Sequence, residues 1–244
     1  MQIVSYKKKN NNEYIITLSN NKTLTLFDDV ILKYELLLKK EINNIEEVLK
    51  NNLVIESYYE ALKFINKRLR TKLEVEEYLK GYDKEAVNYT IERLSKEKYL
   101  NDDLYIKCMV NDLVNLKVMG PKKIVEEVKK KGFLEEQILP YIDAIEHDVW
   151  LDKINKYVVK KINSNHNLSG YVLKNKVIME LVNKGFFKED IMVIIENCDF
   201  YDNAEVYNKE YQKLYRKLSK KYSDELLDKQ IKYHLYKKGF SIKE

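Results

Sequence analysis

The stretch GPKKIVEEVKKKGF, Gly120 to Phe133, reads as one complete short helix with both ends marked. Gly120 suits the N-cap. Pro121 takes the first helical position, where its missing N–H costs nothing and its fixed φ already fits a helix. Ile124, Val125 and Val128 form one apolar stripe. Gly132 closes the segment, because glycine adopts the left-handed conformation without a Cβ penalty. Lys129, Lys130 and Lys131 suit the negative end of the helix dipole, and Phe133 is placed to fold back on the helix.

The ending recurs as Lys80-Gly81-Tyr82, Lys184-Gly185-Phe186 and Lys238-Gly239-Phe240, so that glycines 81, 132, 185 and 239 stand 51, 53 and 54 residues apart. A near-constant period of this size marks a helical repeat. The register holds on both sides. Before the glycine stand Val125 and Val128, then Ile178 and Leu181, then Lys232 and Leu235; after it come Val87, Ile91 and Leu94, then Ile138, Ile142 and Ile145, then Ile191, Ile195 and Cys198. This is the i, i+4, i+7 signature of a helix with one buried face.

Composition agrees with a folded, mostly helical chain. Of 244 residues, 45% are hydrophobic and 34% charged, while 2 Pro and 6 Gly leave little room for long irregular loops. The net charge of +5 is compatible with an acidic partner or nucleic acid without identifying one. Lys far outnumbers Arg, and Asn, Ile and Tyr are plentiful, as an AT-rich genome would encode whatever the function. No apolar run is long enough to span a bilayer, and no cleavable apolar leader opens the chain, so a cytoplasmic location is expected.

Taken in order, Ile3 to Ser5, Tyr14 to Leu18 and Thr23 to Phe27 read as short strands, the last two joined through Ser19-Asn20-Asn21-Lys22, with Lys7 to Asn12 a polar loop. Helices are expected over Asp28 to Lys39 and Asn44 to Asn52, the latter opened by Asn44-x-x-Glu47. Residues 1–55 thus form a small segment of β-strands and helices. Three-helix repeats follow at 56–99, 100–147 and 148–200, and a truncated copy at 201–244. The first is expected as Tyr58 to Leu69, Thr71 to Lys80 opened by a Thr71-x-x-Glu74 capping box, and Asp83 to Lys98. The fold class is mainly α: tandem three-helix repeats with a small N-terminal β-hairpin or sheet.

Catalytic and metal-binding patterns are missing from the sequence. His147, His166 and His234 are scattered, Cys108 and Cys198 read as small core residues, and there is no phosphate loop or nucleophile elbow. Asp28-Asp29 and Asp102-Asp103 read as helix caps. The expectation is therefore a non-enzyme with no cofactor and no metal. The candidate binding residues are basic: Lys67, Arg68, Arg70 and Lys72, then Lys122, Lys123 and Lys130, then Arg216 and Lys217. Several lie at equivalent ends of repeated helices and would line up along one side of a stacked array. Tyr207, Tyr211 and Tyr215, with Leu214, Leu218 and Tyr222, form an aromatic stripe among lysines on which bases can stack, but its helical spacing favours core or repeat interface, and Trp150 is read the same way.

Tyr59-x-Ala61-Leu62-x-x-Ile65-x-x-Arg68-x-Arg70-Thr71, followed by Glu74-Val75-x-x-Tyr78-Leu79, resembles the first repeat of the RecX family, regulators of the RecA recombinase. Tyr99-Leu100-Asn101-Asp102-Asp103 and Gly120-Pro121-x-x-Ile124 resemble its second. The resemblance covers Tyr58 to Ile142 in detail and the rest more loosely, and the sequence departs from the family pattern in its scarcity of arginine and its shortened Lys80-Gly81 helix end. It implies an elongated curved rod of tandem three-helix repeats. It also implies a monomer that docks in the groove of the RecA filament on single-stranded DNA and restrains recombination, ATP hydrolysis and co-protease activity, without catalytic residues. The alternative is a module that binds single-stranded nucleic acid directly, independent of RecA.

Overall fold

The computed structural model describes residues 1–242, and the last two residues of the terminal 201–244 repeat lie outside the described residues. The chain divides into two compact units, the first Met1–Ile106 and the second from Lys107 onward. No described helix is long and apolar enough to cross a membrane.

In the first unit, β1 (Ile3–Lys8), β2 (Glu13–Leu18) and β3 (Thr23–Phe27) form an antiparallel sheet in the order β1-β2-β3. Strand β1 runs further than the expected Ile3 to Ser5, because Tyr6, Lys7 and Lys8 continue the ladder against Ile16, Ile15 and Tyr14. Between β2 and β3 the turn places Asn21 at φ 61°, a conformation asparagine tolerates better than most residues. Ile16, Leu18 and Leu26 are fully buried against the helices that follow, which is what stabilises so small a sheet.

The helix expected over Asp28 to Lys39 is broken into α1 (Asp28–Lys33) and α2 (Leu36–Lys39), with Glu35 between them in the left-handed region at φ 53°. A continuous helix would hold Leu32 and Leu36 on one face. The break separates them: Leu32 is 69% exposed and Leu36 only 2%. A second correction concerns the helices expected over Asn44 to Asn52 and Tyr58 to Leu69. They are one 21-residue helix, α3 (Ile45–Ile65), opened by the Asn44 side chain accepting the Glu47 N–H. Nothing in Asn52 to Ser57 breaks a helix, and residue 55 lies inside α3, with Ile55 buried under the sheet and Ala61 and Ile65 buried under the next helices.

Helices α4 (Lys72–Tyr78) and α5 (Lys84–Lys96) complete the first three-helix module around Ala61, Val75, Leu79 and Leu94. The Thr71/Glu74 capping box is present in both directions. Asp83 caps α5 through the Ala86 N–H. Helix α6 (Asp102–Leu116) begins with the Asn101 side chain accepting the Leu104 N–H at 3.0 Å, so the cap is Asn101 and the Asp102-Asp103 pair sits inside the first turn. Asp28 and Asp29 likewise lie inside α1.

The second unit continues with α7 (Pro121–Lys129), α8 (Glu135–Asp143), α9 (His147–Asn163), α10 (Gly170–Asn183), α11 (Lys188–Glu196), α12 (Ala204–Leu218) and α13 (Asp224–Lys237). Gly120 is the N-cap of α7 and Pro121 its first residue. Gly132, Gly185 and Gly239 adopt φ of 92°, 87° and 80°. After α10 the Phe186 N–H returns to the Leu181 carbonyl and Gly185 to Val182; after α13, Phe240 returns to Leu235 and Gly239 to Tyr236. These paired bonds satisfy carbonyls that a helix end otherwise leaves open, and both phenylalanines are 2% exposed. Gly81 departs from the pattern. The first module ends its shorter middle helix at Tyr78 with Leu79 as the C-cap, and the Tyr82 N–H closes a four-residue turn onto the Leu79 carbonyl without a left-handed glycine. Trp150 is core, 5% exposed.

Within the second unit the middle helices of successive repeats meet end to end. The Gly120 N–H donates to the Lys184 carbonyl at 2.8 Å and the Lys122 N–H to the Gly185 carbonyl at 3.1 Å, so the open donors of α7 meet the open acceptors of α10. One repeat on, the Ser169 hydroxyl at the start of α10 donates to the Lys238 carbonyl at the end of α13, at 2.8 Å.

Candidate functional site

The basic residues singled out in the sequence fall into separate groups, and most are already engaged. Arg68 and Arg70 lie between α3 and α4, and Lys72 opens α4. Arg68 makes a two-pronged contact with Glu74, Nη2 to Oε1 at 2.8 Å and Nη1 to Oε2 at 3.2 Å. Donating to the Glu74 carboxylate raises its pKa above the ordinary arginine value. The same carboxylate accepts the Thr71 N–H, so the capping box also positions Arg68. Lys72 pairs with Asp102 at 2.8 Å.

Arg70 is held differently. Its guanidinium lies 3.9 Å from the centre of the Phe64 ring, which stacks on Tyr78 at 4.2 Å and 3°. Its Nε is buried without a hydrogen-bond partner. A guanidinium held against a ring face has less rotational freedom left, a favourable starting point for gripping a planar anion. Lys67 is exposed and makes no ion pair among the described residues.

On α7, Lys122 and Lys123 occupy the first turn while Lys130 caps the other end, so they do not form one patch. Lys123 pairs with Glu126 and Lys130 with Glu127, each at 2.7 Å. The Lys122 ammonium sits 4.7 Å from the centre of the Phe187 ring. Arg216 and Lys217 lie exposed in the last turn of α12. Exposed pairs of this kind contribute about 0–1 kcal/mol each and are readily exchanged for an external anion. The tyrosine stripe of α12 forms a ladder, Tyr207 to Tyr211 and Tyr211 to Tyr215 each with ring centres 6.5 Å apart. Its lower rungs are half-buried beside Val206 and Leu214, and Tyr215 emerges at 46% exposure.

Sequence reasoning missed a polar cluster in the first unit. The Arg93 guanidinium lies 3.8 Å from the centre of the Tyr58 ring and reaches Glu97 at 3.0 Å and Asp29 at 3.4 Å. Tyr58 donates to Glu97 at 2.5 Å, and Tyr59 to Asp29 at 2.9 Å. Burial, reinforced by these acceptors, pushes both tyrosine hydroxyls far above their ordinary range. Burial alone would raise the Glu97 carboxyl, but the Tyr58 and Arg93 hydrogen bonds outweigh it and hold the group below its usual range. The cluster ties α1, α3 and α5 together. Only the Arg93/Glu97 spacing of four on one helix was legible in advance. Ser57, Thr90 and the Ala86 carbonyl satisfy one another nearby. Among the described residues no group of three or more His, Cys, Asp or Glu is placed to hold a metal ion.

Fold and surface define a tandem helical-repeat protein whose exposed cations border its helix ends. No family model matches the chain. Relatives and solved structures do. A regulatory protein RecX of Bacillus cytotoxicus is 30% identical, covering 88% of this chain and 82% of its own. The Bacillus subtilis protein of that name is 28% identical, covering 98% and 93%. The Listeria innocua one is 26% identical over 85% and 80%. The chain belongs to the RecX family of regulatory proteins. A crystal structure of a regulatory protein RecX superposes with a TM-score of 0.70 at 19% identity, covering 80% of this chain and 98% of that one. One from Lactobacillus salivarius gives 0.55 at 24%, covering 60% and 97%; both bear on the fold.

Proposed function

We propose that this protein is a non-enzymatic regulator that binds a RecA filament on single-stranded DNA and restrains its activities. Membership of the RecX family, at 30% identity over most of the chain, carries the reading. The physical logic is valency. Similar modules repeated along one chain meet a helical polymer of identical subunits, and modest contacts sum through effective concentration. Arg68 and Lys72 in the first unit and Lys123 and Lys130 in the second supply cationic contacts by exchanging their exposed ion-pair partners for acidic groups of the filament, and Arg70 and Lys122, held on the Phe64 and Phe187 rings, add theirs directly. Preferential binding to one filament state lowers turnover without an active site, because a ligand shifts an equilibrium by its differential affinity.

The test is ATP hydrolysis by the cognate recombinase on single-stranded DNA while this protein is titrated, with binding to the bare strand measured alongside. Inhibition accompanied by weak binding to bare DNA supports the reading. No inhibition beside tight, salt-sensitive DNA binding replaces it with a nucleic-acid module. That second reading has one observation in its favour: the Tyr215 ring, stacked on Tyr211 and open to solvent beside Arg216 and Lys217, is a surface on which a base can stack.

A further inference from the structure

The second unit contains a cavity of which the reading above uses only one lining residue, Lys122. It has a volume of about 650 Å³, within the range of ligand and anchor pockets, and lies among α7, α8, α9 and the start of α11. Its floor is apolar: Val125, Ile142 and Trp150 are 9%, 6% and 5% exposed, and at its mouth Leu139 and Phe187 stand 39% and 40% exposed. The rim is acidic. Glu135, Asp143, Glu189 and Asp190 line it against Lys122 and His147.

The local partners sharpen that imbalance. Glu135 is met by Lys129 at 2.9 Å, and Asp190 by His147 at 2.9 Å. The Lys122 ammonium rests on the Phe187 ring. Asp143 and Glu189 have no ion pair or hydrogen bond among the described residues, so two carboxylates face the opening uncompensated. An anionic guest such as a phosphate or a nucleic-acid backbone would meet repulsion here. A guest with a bulky apolar group and flanking cations would bury the first on the Val125/Ile142/Trp150 floor and pair the second with Asp143 and Glu189.

We propose that this cavity is a docking site for a basic polypeptide segment that inserts one aromatic or branched aliphatic side chain and sets lysine or arginine on either side of it. The anchor replaces water on apolar surface, the main source of affinity in such a site, while the flanking charges fix register and exclude acidic segments. The proposal does not depend on the RecA assignment: of the six cations named there, Lys122 alone lines the cavity, and the Val125/Ile142/Trp150 floor and the Asp143 and Glu189 carboxylates play no part in that reading.

Trp150 is the only tryptophan of the chain and lies in the cavity floor, so the protein carries its own reporter. The experiment titrates the full chain with a tryptophan-free synthetic nonapeptide bearing a central phenylalanine between paired lysines, and with the same peptide carrying glutamates. The lysine peptide should change Trp150 emission saturably, with an affinity that falls as salt rises, and the glutamate peptide should not. The double variant Asp143→Asn/Glu189→Gln, which alters only exposed rim carboxylates, should weaken the lysine peptide by about fivefold. Leu139→Lys should weaken it further while helicity is retained. Equal responses to the two peptides, no response to either, undiminished affinity in the double variant, or a saturable response to an oligothymidylate instead would each overturn the proposal.

Discussion

The Gly120 N–H lies 2.8 Å from the Lys184 carbonyl oxygen, so helix α7 begins where α10 ends. This approach depends on two missing side chains. A Cβ on Gly120 would stand 2.3 Å from the Phe186 nitrogen, and one on Gly185 would stand 2.3 Å from the Lys123 nitrogen. Both obstacles are backbone and cannot swing aside.

Gly185→Ala combines that clash with a left-handed φ of 87° and should destabilise the second unit by about 2 kcal/mol or more. Gly120→Ala, with the clash alone, should do nearly as much. Gly81→Ala is the control, since nothing lies within 4 Å of its Cβ position, and its stability should stay within about 0.5 kcal/mol of wild type. Urea denaturation followed by circular dichroism decides the matter; equal losses at Gly81 and Gly185 would refute the end-to-end junction as a packing constraint.

The Arg93 cluster makes a pH-dependent contribution to the first unit. The folded Glu97 pKa lies below its ordinary value of 4.5, so its stabilisation is fully present above that value and is lost as pH falls through the folded pKa. The stability difference between wild type and Glu97→Gln should therefore be flat from neutral pH to about pH 5 and shrink below it. Tyr58 works in the opposite direction. Its pKa is raised from 10.0, so its stabilisation is present below that pH and declines as alkalinity rises towards the folded value. Arg93→Met should cost about 2 kcal/mol, because it leaves Glu97 and Asp29 short of a donor.

Replacing Arg68, Arg70, Lys72, Lys122, Lys123 and Lys130 together by Ala should weaken filament binding by at least about tenfold, as the sum of several exposed charge contacts. Far-ultraviolet circular dichroism should remain helical, since each of these residues except Arg70 is paired at the surface or exposed. Unchanged co-sedimentation with filaments would remove these residues from the interface.

Along α12, Tyr211→Ala should cost about 1 kcal/mol of stability, because it removes the middle rung of a half-buried ladder. Tyr215→Ala should cost less than about 0.5 kcal/mol. If the latter variant alone loses affinity for an oligothymidylate, base stacking on this ring gains support; unchanged affinity would remove Tyr215 from any nucleic-acid contact.

The sequence alone determined what one helix needs in order to start, bury a face and stop. Gly120, Pro121 and Gly132, the Thr71/Glu74 box and the Ile124/Val125/Val128 stripe are local instructions read within a few residues, and their period of slightly more than fifty revealed the repeat. Tertiary structure decided whatever depended on which face had to be buried. It broke the first helix at Glu35 so that Leu36 could turn inward while Leu32 stayed outside, and fused α3 across residue 55 because both halves had cores to cover. It also paired Arg68, Lys72, Lys123 and Lys130 with nearby acids, laid Arg70 on Phe64, and drew Asp29, Tyr58, Tyr59, Arg93 and Glu97 into one cluster. A charge in a sequence states only a type of side chain; its distance from the next charge depends on how helices far apart in the chain pack.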